Sequence, residues 1–288
     1  MSGGAPAIRE IDVSLLRAEV ARLLVEANYT IPADVLDALR AAVESELSPL
    51  GRSTLEQLVT NYEVAAAERL PVCQDSGVAV VFLEVGQDVH WVGGALRAAV
   101  HEGVREGTRS GYLRWSVTGD PARRLTMRGD DASASIHIDI VPGDGVRLTV
   151  ASKGFGAENM SALRMLLPAD GVAGVTDFVL DTVDRAGANA CPPLIVGVGI
   201  GSTFDGAALL AKKAVLRPLT ERHDRPDLRA LELELLGRVN ALGIGPQGLG
   251  GRVTALAVNI EVLPTHIAGL PVAVNLGCHS TRRMTVTI

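Results

Sequence analysis

Aromatic side chains are scarce in this 288-residue chain: four Phe, three Tyr and two Trp make up 3% of it. Any core must therefore be aliphatic, and with 47% hydrophobic residues there is enough Ala, Val, Leu and Ile to build a large one. No uninterrupted apolar stretch reaches the roughly 18 residues that a membrane-spanning helix needs. There is no long Lys/Arg run, and the formal net charge is −6, so neither nucleic acid nor a membrane surface is an expected partner. Residues 1–6 lack the basic and apolar regions of a secretory signal. Cysteine is scarce too. Three thiols, an odd number, fit a reducing cytoplasm better than a disulfide framework, and a cytoplasmic location is expected.

Glycine is abundant at 31 residues, a sign of tight turns and close backbone approaches. Residues 11–69 carry helical periodicity, with Leu15, Leu16, Val20, Leu23 and Leu24 on one stripe and Val35, Leu36, Leu39 and Val43 on the next. Pro32 opens the second helix, and Ser53 or Thr54 with Glu56 opens a third. The character changes at Pro71. Val78–Val85 reads as a buried strand, and Ile136–Ile140 alternates as a half-buried one. Val146–Ala151 reads as its partner across the turn Pro142-Gly143-Asp144-Gly145. Helices are expected over 95–105, 159–167, 172–184, 207–217 and 226–240, and strands over 194–198, 253–263 and 271–276. The pattern predicts an α+β fold, a helical N-terminal region (1–70) packed on a mixed α/β body (71–288), forming one domain.

The cysteines lie far apart, each in a loop marked by Gly or Pro: Pro71-Val72-Cys73-Gln74-Asp75-Ser76-Gly77, Ala190-Cys191-Pro192-Pro193 and Gly277-Cys278-His279. Three buried apolar thiols would be the plain reading. Polar neighbours weigh against it, because Gln74 and Asp75 are costly to bury without partners. No C-x-x-C pair supports structural zinc, and the clustered ligands of ferredoxins are absent. Three thiolates can also hold three corners of an iron–sulfur cube and leave the fourth iron open.

Lys153-Gly154-Phe155-Gly156-Ala157-Glu158-Asn159 follows a strand and precedes an expected helix, which makes it a candidate anion site; an ordinary strand-to-helix turn is the alternative. Gly197-Val198-Gly199-Ile200-Gly201 is not a dinucleotide fingerprint. Gly243-Ile244-Gly245-Pro246-Gln247-Gly248 matches G-x-G-x-x-G only literally, since a helix precedes it and Pro246 interrupts it. Both are expected to let backbone approach a bound group. His266, in Pro264-Thr265-His266-Ile267, is the histidine best placed for chemistry, and Arg114 is a further candidate.

Taken together, PVCQDSG, SKGFGAENM, CPPLIVGVGIGSTFD, LGIGPQGLGG and PTHIAGLPVAVNLGCHSTRR resemble the α subunit of the class I, iron–sulfur-dependent fumarase/tartrate dehydratase family over most of the chain. The resemblance implies that Cys73, Cys191 and Cys278 ligate one [4Fe–4S] cluster whose open iron binds substrate as a Lewis acid. It implies substrate contacts from Gln74, Arg114, Lys153 and Gly154, with Asp75 and His266 as catalytic residues. It implies a separate β subunit that supplies further arginines, a threonine and a lysine, in a hetero-oligomer or around an α-subunit dimer. The activity it implies is reversible hydration of fumarate to malate, a small dicarboxylate substrate. L(+)-tartrate dehydration is the alternative within the family, and a non-enzymatic iron–sulfur scaffold or redox sensor is the alternative outside it.

Overall fold

The structure, a computed structural model, describes residues 8–123 and 132–288. Residues 1–6, considered above for a secretory signal, lie outside the described residues. In chain order the elements are β1 (Arg9–Asp12), α1 (Val13–Tyr29), α2 (Ala33–Ser45), α3 (Pro49–Glu68), β2 (Val78–Gly86), β3 (Val89–Val92), α4 (Leu96–Ser110), β4 (Ser135–Val141), β5 (Val146–Lys153), α5 (Phe155–Glu158), β6 (Ala162–Leu166), α6 (Gly171–Ala186), β7 (Leu194–Ser202), α7 (Phe204–Leu216), α8 (Pro226–Ala241), β8 (Ala255–Thr265), β9 (Leu270–Gly277) and β10 (Arg282–Thr287). They form two compact units. The first takes the chain up to Pro32, Ala65–Lys153 and Arg282–Ile288; the second takes Ala33–Val64 and Gly154–Thr281.

Each unit is built round a four-stranded sheet, and the two sheets share one plan. In the first the order is β10-β5-β2-β4, and in the second it is β6-β9-β7-β8. The central strand, β2 or β7, has a parallel neighbour on one side and an antiparallel one on the other, with a further antiparallel strand beyond. The parallel neighbour is reached through helix, α4 in one case and α7 with α8 in the other, as a crossover requires. The chain then arches over the end of the central strand to reach its other side. Backbone bonds fix the first arch: Gly86 and Asp88 N–H donate to the carbonyls of Gly145 (2.8 Å) and Gly143 (3.0 Å). A Cβ on Gly86 would lie 2.7 Å from the Gly143 carbonyl carbon, so the crossing needs glycine there.

The aliphatic core predicted from composition is present in both units. In the first, Leu16, Val20, Leu23 and Leu24 of α1 pack with α4 and the Val81–Val150 sheet face. Asp12 caps α1, its carboxylate accepting the Ser14 N–H at 2.7 Å. In the second, Phe178, Val179 and Val183 of α6 and Leu231, Leu235 and Val239 of α8 cover β7, β8 and β9. The helical N-terminal region packs on a mixed α/β body as expected: α1 lies on β5 and β10, and α2 lies on β8.

Three local expectations need correction. Ile136–Ile140 and Val146–Ala151 are strands, but they do not pair as a hairpin; β2 lies between them and bonds to both. Val78–Gly86 is largely apolar and takes an inner position in the sheet, with a bonded strand on each side. The helix expected over 159–167 is the single turn α5 followed by strand β6, because β9 offers an open edge that Ala162–Leu166 fills. Pairing overrides local propensity there. Strand β10 was not foreseen; Arg282–Thr287 pairs antiparallel with β5.

Candidate active site

The Pro71–Gly77 loop leads into β2 at the start of the first unit's central strand. Cys73 is partly exposed and Gln74 is exposed. The Asp75 N–H lies 3.4 Å from Cys73 Sγ, and the thiol lies 3.4 Å from Gln74 Oε1. Asp75 Oδ1 accepts the Gly77 N–H at 2.8 Å, which closes the loop on itself as an Asx turn. Three buried residues hold the loop from behind. The Asn28 carbonyl accepts the Val72 N–H at 2.9 Å. Ser152 Oγ donates to the Ser76 carbonyl. Arg282 Nη2 donates to the Asp75 carbonyl at 2.8 Å, and its Nη1 to Asn28 Oδ1 at 2.9 Å. Asn28, Ser152 and Arg282 are 0%, 3% and 1% exposed, so the loop is held by a sealed polar cradle. Sequence reasoning missed all three. The only available signal was a polar residue on an otherwise apolar helix face or strand.

Two further candidates join this loop. Arg114 follows α4, is exposed, and donates its backbone N–H to Ser76 Oγ at 2.9 Å. The two segments line one pocket with Gly77, Trp115 and Ser116. Lys153 ends β5 directly opposite Val78, so the register sets it beside the loop's exit. It is buried, 6% exposed. The helix N-terminus proposed for its neighbourhood is absent: α5 is one turn, too short for a row of aligned N–H groups. Gly154 precedes that turn in extended conformation. The first unit thus gathers Cys73, Gln74, Asp75, Arg114 and Lys153.

The second unit brings Cys191 and Cys278 together at the equivalent end of its sheet. Cys191 stands just before β7 in left-handed conformation (φ 54°), and Cys278 just after β9. The His279 N–H donates to the Cys191 carbonyl at 3.3 Å. The Cys278 carbonyl accepts from Thr281 N (3.1 Å) and Thr281 Oγ1 (2.8 Å), and Ser280 Oγ lies 3.2 Å from Cys278 Sγ. His279 Nδ1 is bonded to the Tyr62 hydroxyl.

The glycine-rich segments differ in what they pack against. Gly197 and Gly199 admit the close approach of α7. A Cβ on Gly199 would lie 2.5 Å from the Ala211 nitrogen, and one on Gly197 would be 2.8 Å from Val215 Cβ. The Gly243–Gly251 loop supports Cys191. Gln247 N (2.8 Å) and Nε2 (2.7 Å) both donate to the Pro192 carbonyl. Glu46, fully buried, anchors the same loop by accepting N–H groups of Arg252 and Val253 as well as those of Leu47 and Ser48. Burial pushes its carboxyl pKa up, but the four backbone donors outweigh burial and hold it below the usual glutamate value.

Within the second unit, His266 is not brought to Cys191 and Cys278. It sits on the arch between β8 and β9, exposed, with its Nδ1 accepting the Ala268 N–H at 3.2 Å. Cys278 lies at the other end of β9, and the eight residues of that strand span roughly 25 Å.

The donor chemistry fits an iron–sulfur group. All three cysteines are free thiols, each partly exposed on a turn. A backbone N–H, that of Asp75, is aimed at Cys73 Sγ from 3.4 Å. Cys73 belongs to the first unit and the other two to the second. Among the described residues no three His, Cys, Asp or Glu side chains stand together as a preformed metal site. No helix among the described residues is long and apolar enough to cross a membrane.

Comparison with known proteins places this geometry in a family. The family model described as fumarate hydratase (fumerase) matches residues 17–287. A Methanocaldococcus jannaschii protein provisionally named L(+)-tartrate dehydratase subunit alpha is 40% identical over 92% of this chain and 94% of its own length. The L(+)-tartrate dehydratase subunit alpha of Escherichia coli is 34% identical, and that of Shigella sonnei 33%, each over 96% of this chain and 91% of the relative. With the matched stretch running through all three cysteine loops, the chain belongs to the class I fumarase/tartrate dehydratase family of hydro-lyases, in its α-subunit type.

Proposed function

We propose that this chain is the α subunit of a two-subunit hydro-lyase that dehydrates L(+)-tartrate. The observation that carries the substrate is the agreement of names among relatives that match over nine-tenths of both lengths. It favours tartrate over the fumarate hydration expected from sequence. Fumarate and malate remain the second reading, supported by the description of the family model. The α-subunit names also support a separate β subunit that completes the site.

The residues that would hold a four-iron cluster are Cys73, Cys191 and Cys278. When bound, that group would supply Lewis acidity toward the departing hydroxyl. This chain's residues would do the rest. Arg114 would pair with a substrate carboxylate through two parallel N–H bonds, orienting the dicarboxylate and taking up charge as it develops. Gln74, exposed beside the thiol, would bond a hydroxyl or carboxylate oxygen. Lys153, set beside the loop, would add positive charge for the dianion. Asp75, its position fixed through Gly77 and Arg282, would hold or move the proton exchanged in the elimination.

The test is an anaerobic assay of the chain with its β subunit after iron and sulfide reconstitution. A higher kcat/KM on L(+)-tartrate than on malate is expected. Preference for malate would overturn the substrate and leave the hydro-lyase class. Activity that survives removal of iron by chelation would overturn the metal chemistry.

A further inference from the structure

Among the described residues Arg282 is the largest fully sealed side chain, 1% exposed. Desolvating a whole charge costs far more than neutral hydrogen bonds return, so a buried guanidinium normally meets a carboxylate. Arg217 does so: only 12% of its side chain is exposed, and it pairs with Glu232 and Glu261. Among the described residues Arg282 has no such partner. Nη1 donates to the Asn28 amide oxygen, Nη2 to the Asp75 carbonyl, and Nε finds no acceptor. Both of its acceptors are neutral. Among the described residues, a positive charge is therefore fixed behind the Cys73–Gly77 loop with only neutral acceptors bonded to it.

The loop connects that charge to the candidate ligand. Asp75 accepts the guanidinium on its carbonyl and directs its own N–H toward Cys73 Sγ. The neighbouring register makes the site one built object: Arg282 opposes Ser152, which opposes Ala79, and Ser152 also binds the Ser76 carbonyl. An unbalanced buried cation is stable when negative charge arrives close by. The chemistry proposed for the loop brings such charge, as thiolate sulfur and as a dicarboxylate.

We infer that Arg282 is a positioning residue that fixes the Cys73–Gly77 loop and supplies a standing positive charge offsetting the anionic load on the loop's solvent side. The inference rests on the functional reading above, which uses Arg282 only to hold Asp75 and gives its charge no part. It predicts that the charge, and not only the hydrogen bonds, sets the properties of the bound group.

The experiment compares the Arg282→Gln and Arg282→Lys variants with native protein, each purified with the β subunit under nitrogen and reconstituted with iron and sulfide. The readouts are the melting temperature before reconstitution, the midpoint potential of the reconstituted group followed by electron paramagnetic resonance, and its rate of loss to a chelator. For Arg282→Gln, a potential shifted negative and loss faster by roughly tenfold are expected. Its melting temperature before loading should stay close to native. Arg282→Lys should restore the potential. A native potential and loss rate in Arg282→Gln would overturn the inference and leave the functional reading standing, as would Arg282→Lys behaving like Arg282→Gln. If Arg282→Gln does not fold, Arg282→Lys decides: a native potential supports the inference and a shifted one sinks it. Native protein that takes up no iron and sulfide would overturn the functional reading and this inference with it.

Discussion

The His279 N–H donates to the carbonyl of Cys191 at 3.3 Å, joining the turn before β7 to the turn after β9. Antiparallel pairing brings these ends together, with Ile195 opposite Gly277. The bond ties the two cysteine loops of the second unit into one piece, and a third loop supports it. Gln247 is bonded twice to Pro192, the residue after Cys191, and holds left-handed backbone (φ 54°) to do so.

That arrangement separates two replacements of Gln247. Gln247→Ala loses the side-chain bond and keeps the backbone strain, which should cost about 1 kcal/mol. Gln247→Gly loses the same bond but relieves left-handed strain worth about 1 kcal/mol, and should be near neutral. Urea denaturation checks both. Equal stability of the two variants would show that the left-handed conformation at 247 carries no strain.

The legibility of this chain follows from where its signals are local. The Cys73 loop is readable because polar Gln74 and Asp75 interrupt an apolar run, and the structure sets Arg114 and Lys153 beside them. Strands β2, β7 and β9 are readable because they are largely apolar. Their pairing is not: the four residues Pro142–Gly145 look like a hairpin turn, yet they arch over β2. The same limit separates His266 from Cys278. Twelve positions separate them in sequence, and the eight-residue strand β9 between them spans roughly 25 Å. The cradle of Asn28, Ser152 and Arg282 joins residues from three distant parts of the chain, and no local pattern announces that.

Two glycines give opposite expectations for the same substitution. A Cβ on Gly199 would press on the backbone of α7, 2.5 Å from the Ala211 nitrogen, and a backbone cannot step aside as a side chain can. Gly199→Ala should destabilise by about 3 kcal/mol. Gly237 lies exposed inside α8 with open space around it. Gly237→Ala should stabilise by about 0.5–1 kcal/mol through the lower entropy of the unfolded chain. Thermal denaturation of the two variants is the measurement, and a stable Gly199→Ala would contradict the close approach of β7 and α7.

Glu46 should set part of the acid limit of stability. Its folded pKa is lowered, so its contribution is fully present above the unfolded value of about 4.3 and is lost as pH falls through the folded value. Glu46→Gln should flatten the stability profile below about pH 4.3 and lower stability at neutral pH. Glu46→Ala leaves the N–H groups of Arg252 and Val253 without their acceptor and should cost about 3 kcal/mol. Denaturation at pH 7 and at about pH 4 would test the sign. A Glu46→Gln profile parallel to native at both values would remove Glu46 as the source.

Asp75 offers the cleanest separation of chemistry from structure. Its Oδ1 closes the loop on the Gly77 N–H at 2.8 Å, and an asparagine oxygen at the same place can accept that bond. Asparagine cannot exchange a proton near neutral pH. Asp75→Asn should therefore keep its melting temperature within a few degrees of native, while kcat of the reconstituted two-subunit enzyme falls by about 100-fold or more. Asp75→Ala should lose both activity and loop closure, with a further drop of about 1 kcal/mol in stability. Native activity in Asp75→Asn would exclude this carboxylate from proton transfer and reduce it to a residue that shapes the loop.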